Sequence, residues 1–231
     1  MCEQYQLDEQ WQFDALETLA EIAYRTGNQE EGDQYMRQCK RLIDLRDIQP
    51  ELTRSIHLAR EDWTRAIADY RVSVERSEPF PRPIVLAILA ELSVMTSEST
   101  EVQQTLCERA ISHANTSGSR KALAVALRAR GRMYLEQQNW ESAEQDLKQS
   151  LEQCEMLDLP WERGNTLYSL GLLYRRRADI LYAHDSAGRN ADIGRAHFYL
   201  EQALGFYESL KAVNDAEKAH LALAQDSKPP V

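Results

Sequence analysis

An all-α fold is predicted by three observations. Glycine and proline are scarce, at 9 and 7 of 231 residues, so little of the chain carries the backbone entropy of the one or lacks the amide donor that the other removes. Ala, Leu, Glu, Gln and Arg are abundant, and 43% of residues are apolar, enough hydrophobic surface to offset the entropy of ordering the chain. Apolar or small residues also recur three and four apart on both sides of Gln137-Gln138-Asn139, as two amphipathic helices packed face to face require.

The most regular stretch contains Ala124, Leu127, Gly131 and Tyr134, then Asn139-Trp140 and Ala143, then Leu147 and Leu151. It reads as helix, short turn, helix. Small residues at Gly131 and Ala143 let the paired backbones approach, while Tyr134, Trp140 and Leu147 fill the space around them. Forty residues on, Leu167, Leu170, Gly171 and Tyr174 repeat the first half, and Ala196, Leu200 and Ala203 repeat the second. The second half arrives late, with about 13 extra residues between Gly171 and Ala196. That insertion, 175–190, is expected to lengthen the first helix through Tyr182 and then to form a polar loop at 184–190.

This pattern resembles the tetratricopeptide repeat (TPR), whose signature runs W-x-x-L-G-x-x-Y, then Ala, then a large apolar residue. The resemblance implies a right-handed α-α superhelix of about five hairpins with a C-terminal capping helix. Ala20, Arg54 and Glu91 extend the ladder of Gly131 and Gly171 toward the N-terminus, and Gly32, Ala66 and Gln103 extend that of Ala143 and Ala196. The hairpins are expected at about 7–46, 47–80, 81–117, 119–158 and 159–210, with the cap at 215–225, all within one domain over 1–225. Pro50, Pro79, Pro81, Pro83 and Pro160 fall at or before the expected helix starts, where a missing amide proton does least harm. Asn115-Thr-Ser-Gly-Ser119 is the clearest turn, and 226–231 are expected to be a disordered tail. The closing segment from Leu200 to Ala222 is similar to the last helices of the C-terminal TPR arrays in bacterial STAND-type signal-transduction ATPases and regulators, where the array serves as a sensor or docking arm.

Several function classes find no support in the residues. The formal charge is −10, which opposes binding to a nucleic-acid backbone through overall charge. Apolar runs stay far short of a membrane span. The start, Met1-Cys2-Glu3-Gln4, has neither a basic nor an apolar signal region, so a cytoplasmic location is expected. Cys2, Cys39, Cys107 and Cys154 form no Cys-x-x-Cys pair, and the five histidines show no metal-ligand spacing, so neither metal nor cofactor is expected. Phosphate-binding loops and Gly-x-Ser-x-Gly elbows are lacking as well, and His184-Asp185 is a histidine–carboxylate pair without a nucleophile. The chain is not expected to be an enzyme.

The resemblance implies that a protein or peptide partner docks on the inner face of the first helices, as in a sensor or interaction module of a signalling protein or, alternatively, in a free-standing substrate chaperone or secretion adaptor. Helical spacing from Leu127, Gly131 and Tyr134 turns Arg128, Arg132 and Glu136 that way. In the next hairpin it exposes Asn165, Tyr168, Leu172, Arg175 and Arg176. The expected peptide-binding residues are therefore Arg128, Arg132, Asn165, Tyr168, Leu172, Arg175 and Arg176, with the arginines gripping an acidic group of the partner. Arg128 and Arg132 stand where the carboxylate-clamp subfamily has Lys and Asn, so that subfamily's ligand is not implied. Val85, Ile88, Leu92 and Met95 form an apolar strip that reads as core. The identity of the partner and the oligomeric state have no sequence signature.

Overall fold

The computed structural model describes residues 2–46, 57, 59–77, 79, 81–181 and 185–224, with side chains described from residue 12 onward except at 14 and 43–46. All regular structure among the described residues is α-helical, and the chain divides into two compact units, Met1–Pro79 and Phe80–Val231.

In the first unit, helices α1 (Cys2–Arg25) and α2 (Gln29–Arg46) form a hairpin, and α3 (Trp63–Arg76) follows. The α1–α2 turn is built on Gly27, whose φ is 79°. Its amide donates to the Tyr24 carbonyl at 3.1 Å, and that of Asn28 donates to the Ala23 carbonyl at 2.8 Å. This paired closure satisfies the last carbonyls of the helix and needs a left-handed residue, which glycine supplies without a Cβ clash. Phe13, Leu16 and Cys39 make the hairpin's core, and Ala20 and Tyr24 pack against Tyr35, Met36 and Ala59. Gly32 lets α2 approach: a Cβ there would lie 2.7 Å from the Tyr24 ring. Arg54 and Pro50, and most of the helix expected to pair with α3, lie outside the described residues.

The second unit contains α4 (Pro83–Met95), α5 (Thr100–Ser117), α6 (Arg120–Glu136), α7 (Trp140–Met156), α8 (Pro160–Leu181), α9 (Ser186–Ser209) and α10 (Val213–Ala224). Consecutive helices pack on each other, α4 also packs on α6, and α6 touches α8. Pro83 sits in the first turn of α4. Ser99, Asn139 and Asp185 cap α5, α7 and α9, their side-chain oxygens accepting from the amides of Val102, Ser142 and Ala187. Such caps satisfy amides that the helix itself cannot. The opposite ends repeat the closure of α1, with Ser97, Gly118, Gln138, Asp158 and Lys211 all at positive φ. Four of these five are not glycine, so tertiary packing, rather than residue preference, holds the left-handed conformation there.

The strip on α4 is core in large part: Val85 and Leu92 are buried, while Ile88 and Met95 are half-buried. The insertion differs from expectation. Residues 186–190 are helical and open α9 behind the Asp185 cap, so the extra chain lengthens both helices of the hairpin rather than forming a polar loop at 184–190. Ser186 and Ala187 directly follow a capping aspartate, and a capped start outweighs the turn tendency of Gly188 and Asn190. Residues 182–184, and the expected tail at 226–231, lie outside the described residues.

Candidate functional site

The functional features of the second unit gather where α4, α6 and α8 meet. Arg128, in the middle of α6, is only 2% exposed. Its Nε and Nη2 donate to the two carboxylate oxygens of Glu91 on α4, at 2.7 and 2.9 Å. Its Nη1 lies 2.9 Å from a carboxylate oxygen of Glu162, in the first turn of α8, and 3.3 Å from that residue's carbonyl. One guanidinium thus ties three helices together with its planar fork filled. Burial pushes the Glu91 carboxyl up, but the charge and hydrogen bonds of Arg128 outweigh that and hold it below its ordinary value. Burial likewise opposes the charged form of Arg128, and the charges of Glu91 and Glu162 win, raising its pKa.

One turn along α6, Arg132 is placed differently. Glu91, its nearest acidic partner, is already held by Arg128, and Arg132 stands 3.8 Å from it with its side chain 28% exposed. Across the gap on α8, Arg176 pairs with Glu136 at 2.6 Å, with both side chains about half exposed. Arg132, Arg176 and Glu136 line a cavity of about 440 Å³ together with Met95, Thr100, Gln103 and Gln137. The cavity wall therefore holds two guanidinium groups, one carboxylate and several uncharged hydrogen-bonding groups. A small acidic group entering it would meet Arg132 directly and compete with Glu136 for Arg176.

Of the seven residues expected to bind a partner, the structure brings Arg132 and Arg176 to this cavity. Arg128 is a buried tie rather than an open cation. Arg175 is buried too, and its Nη1 donates to the Ala222 carbonyl of α10. Neither can present charge to a ligand, because both side chains are buried among the helices. Asn165 accepts a hydrogen bond from the Tyr207 hydroxyl at 2.9 Å. Tyr168 packs at the edge of the cluster of Leu167, Ala203 and Tyr207. Leu172 leans on the cluster of Leu135, Leu147, Leu170 and Leu173. The sequence reading missed Glu91 and Glu162. A signal was present, since Glu91 occupies a rung where the better-matched hairpins have glycine, and an acid placed among core residues calls for a buried cation.

The three described cysteines are buried. Burial pushes the Cys39 thiol up to about 11 and the Cys107 thiol up to about 12, and it raises that of Cys154. These thiols stay protonated and unreactive at neutral pH. Among the described residues, no group of three or more His, Cys, Asp or Glu side chains could hold a metal ion. Among the described residues, no helix is long and apolar enough to cross a membrane.

No family model matches the chain, and no curated protein sequence does. Among solved structures it is similar to BtubC (BKLC) from P. vanneervenii, at 14% sequence identity over 96% of this chain and 94% of that one, with a TM-score of 0.44. A likeness that distant carries nothing about family or function.

Proposed function

We propose that the second unit is an array of tetratricopeptide-type hairpins, arranged as part of a right-handed α-α superhelix, that docks a protein or peptide partner through an acidic group. The repeat reading is supported by the crossings of its hairpins. A Cβ on Gly131 would meet Leu147 Cγ at 2.7 Å and the Ala143 carbonyl oxygen at 3.3 Å, and one on Gly171 would meet Leu200 Cγ at 2.5 Å and the Ala196 carbonyl oxygen at 3.3 Å. The same backbone approach thus recurs with the same residue types. The docking reading rests on one observation, the cavity flanked by Arg132 and Arg176. With no reactive nucleophile or metal-ligating cluster beside it, binding is the work this arrangement suits, and a cytoplasmic sensor or interaction arm of a signalling protein is the setting proposed for it.

The test is affinity capture from lysate with the intact chain and with Arg132→Glu and Arg176→Glu variants, each checked for helical content. Each substitution is expected to weaken retention of a specific partner by about tenfold or more, the scale of one charge-assisted hydrogen bond. Capture of the same partner at undiminished strength by both variants would remove the proposal.

A further inference from the structure

Glu136 is the last residue of α6, where a carboxylate faces the negative end of the helix dipole and is disfavoured. It also follows Arg132 by one turn, the less favourable order for a pair on one helix. Its partner is instead Arg176 on α8, at 2.6 Å. Both of these groups, with Arg132, line the cavity of about 440 Å³. The fold therefore sets an acid of its own on one of the two guanidiniums that an acidic ligand would use. Glu136 is well exposed, so it can swing into solvent when a stronger anion arrives.

That competition selects among anions. A carboxylate that displaces Glu136 from Arg176 makes one ion pair and breaks one of the same kind, so its gain is confined to Arg132. A phosphoryl group carries a charge of about −1.5 to −2 and three acceptor oxygens. It can engage both guanidiniums together and still offer an oxygen to the Thr100 hydroxyl or the Gln137 amide on the same wall. Arg132 is suited to receive it, because Glu91, 3.8 Å away, already has both carboxylate oxygens held by Arg128. Val94 and Met95 give the cavity an apolar side, against which a residue flanking the phosphoryl group can pack.

We infer that the cavity is a phosphopeptide site, in which a phosphorylated side chain takes both Arg132 and Arg176 and displaces Glu136, the chain's internal competitor. The inference rests on the docking reading and narrows it from an acidic group to a phosphate monoester on a peptide. Glu136 then makes affinity depend on phosphorylation, and carboxylates bind the same site more weakly because they gain only one of the two cations.

In the experiment the immobilised full chain is offered degenerate heptapeptide libraries, acetylated and amidated, that differ only in a central phosphoserine, glutamate or serine, and retained peptide is counted by mass spectrometry. Retention of the phosphoserine library at least about tenfold above the glutamate library is expected. It should fall to the glutamate level or below in Arg132→Gln and in Arg176→Gln, each checked for helical content. Glu136→Gln should raise retention of both acidic libraries about two- to fivefold, the range for releasing an exposed ion pair. Glutamate retained as strongly as phosphoserine, with both falling in the arginine variants, would overturn the inference and leave the docking reading standing. Retention of neither above serine would remove both. Unchanged or weaker retention by Glu136→Gln would overturn the competition on which the selection depends. Displacement of the phosphoserine library by inorganic phosphate at the library's own concentration would assign the site to the free ion rather than a peptide, and would equally overturn the inference.

Discussion

The hairpin α6–α7 and the hairpin α8–α9 share one crossing and almost nothing else. Their close-approach residues are 12 apart in the first (Gly131 and Ala143) and 25 apart in the second (Gly171 and Ala196). The helices have 17 and 17 residues in one, against 22 and 24 in the other. Yet the glycine, the facing leucine and the alanine carbonyl meet at nearly the same distances in both. Past the crossing, the added length of the second hairpin is held by charge. Arg177 donates to both carboxylate oxygens of Asp192 at 2.6 and 2.9 Å and to Glu144 of α7 at 2.9 Å, and it lies over the Tyr174 ring. Arg195 adds a second cation on Asp192, and Tyr174 stacks on Tyr199. The lesson is that the crossing is the unit held constant, while length and polarity beyond it vary. The same holds for the cavity: aligned on the two glycines, Arg132, which lines it, corresponds to Leu172, which packs on the hairpin core.

Substitutions can break that comparison in order of size. Removing what belongs to the first hairpin alone should cost most: Arg128→Met leaves Glu91 and Glu162 buried without their cation, and a loss of about 3 to 5 kcal/mol is expected in urea unfolding. A loss below about 1 kcal/mol, the scale of an exposed pair, would show that Arg128 is not the tie described. The shared crossing comes next. Leu147→Ala and Leu200→Ala each open a cavity at a fully buried site, and each should cost about 3 kcal/mol. The two values should agree within about 1 kcal/mol if the crossings are equivalent, and a wide disparity would deny the equivalence.

The extension should be cheaper to damage. Arg177→Ala removes charge-assisted hydrogen bonds but leaves Arg195 on Asp192, so about 2 kcal/mol is expected, read by the same unfolding measurement. Smallest, and of opposite sign, are Gly194→Ala and Gly205→Ala. Both lie within α9, where a Cβ would meet nothing within 4 Å, so each should gain about 0.5 to 1 kcal/mol of stability. Destabilisation at either position would mean that α9 has a neighbour on that side.

The difference between the two hairpins also marks what could be read from residues alone. The all-α class was legible because scarce glycine and proline and the three-and-four spacing act locally, on each helix by itself. The roles of Gly131, Ala143 and Leu147 were legible for the same reason, since hairpin partners are close in sequence. Arg128 and Arg175 were not. Helical spacing gives the direction in which a side chain leaves its own helix, but not what other helices bring to meet it. Glu91 arrives from 37 residues upstream of Arg128, and the carbonyl of Ala222 from 47 residues downstream of Arg175. The polar insertion was misread because Gly188 and Asn190 suggest a turn, whereas the Asp185 cap and the ion pairs around Arg177 favour helix.

Binding of an acidic group in the cavity lined by α4, α5, α6 and α8 is proposed. It is tested most directly by following the arginine Nε–Hε resonances of the isotopically labelled chain while a Glu-rich octapeptide with a free C-terminus is added. Saturable shifts at Arg132 and Arg176, with Arg128 and Arg175 unmoved behind their buried acceptors, are the expected result. Unshifted Arg132 and Arg176, or shifts spread evenly over the exposed arginines, would contradict it.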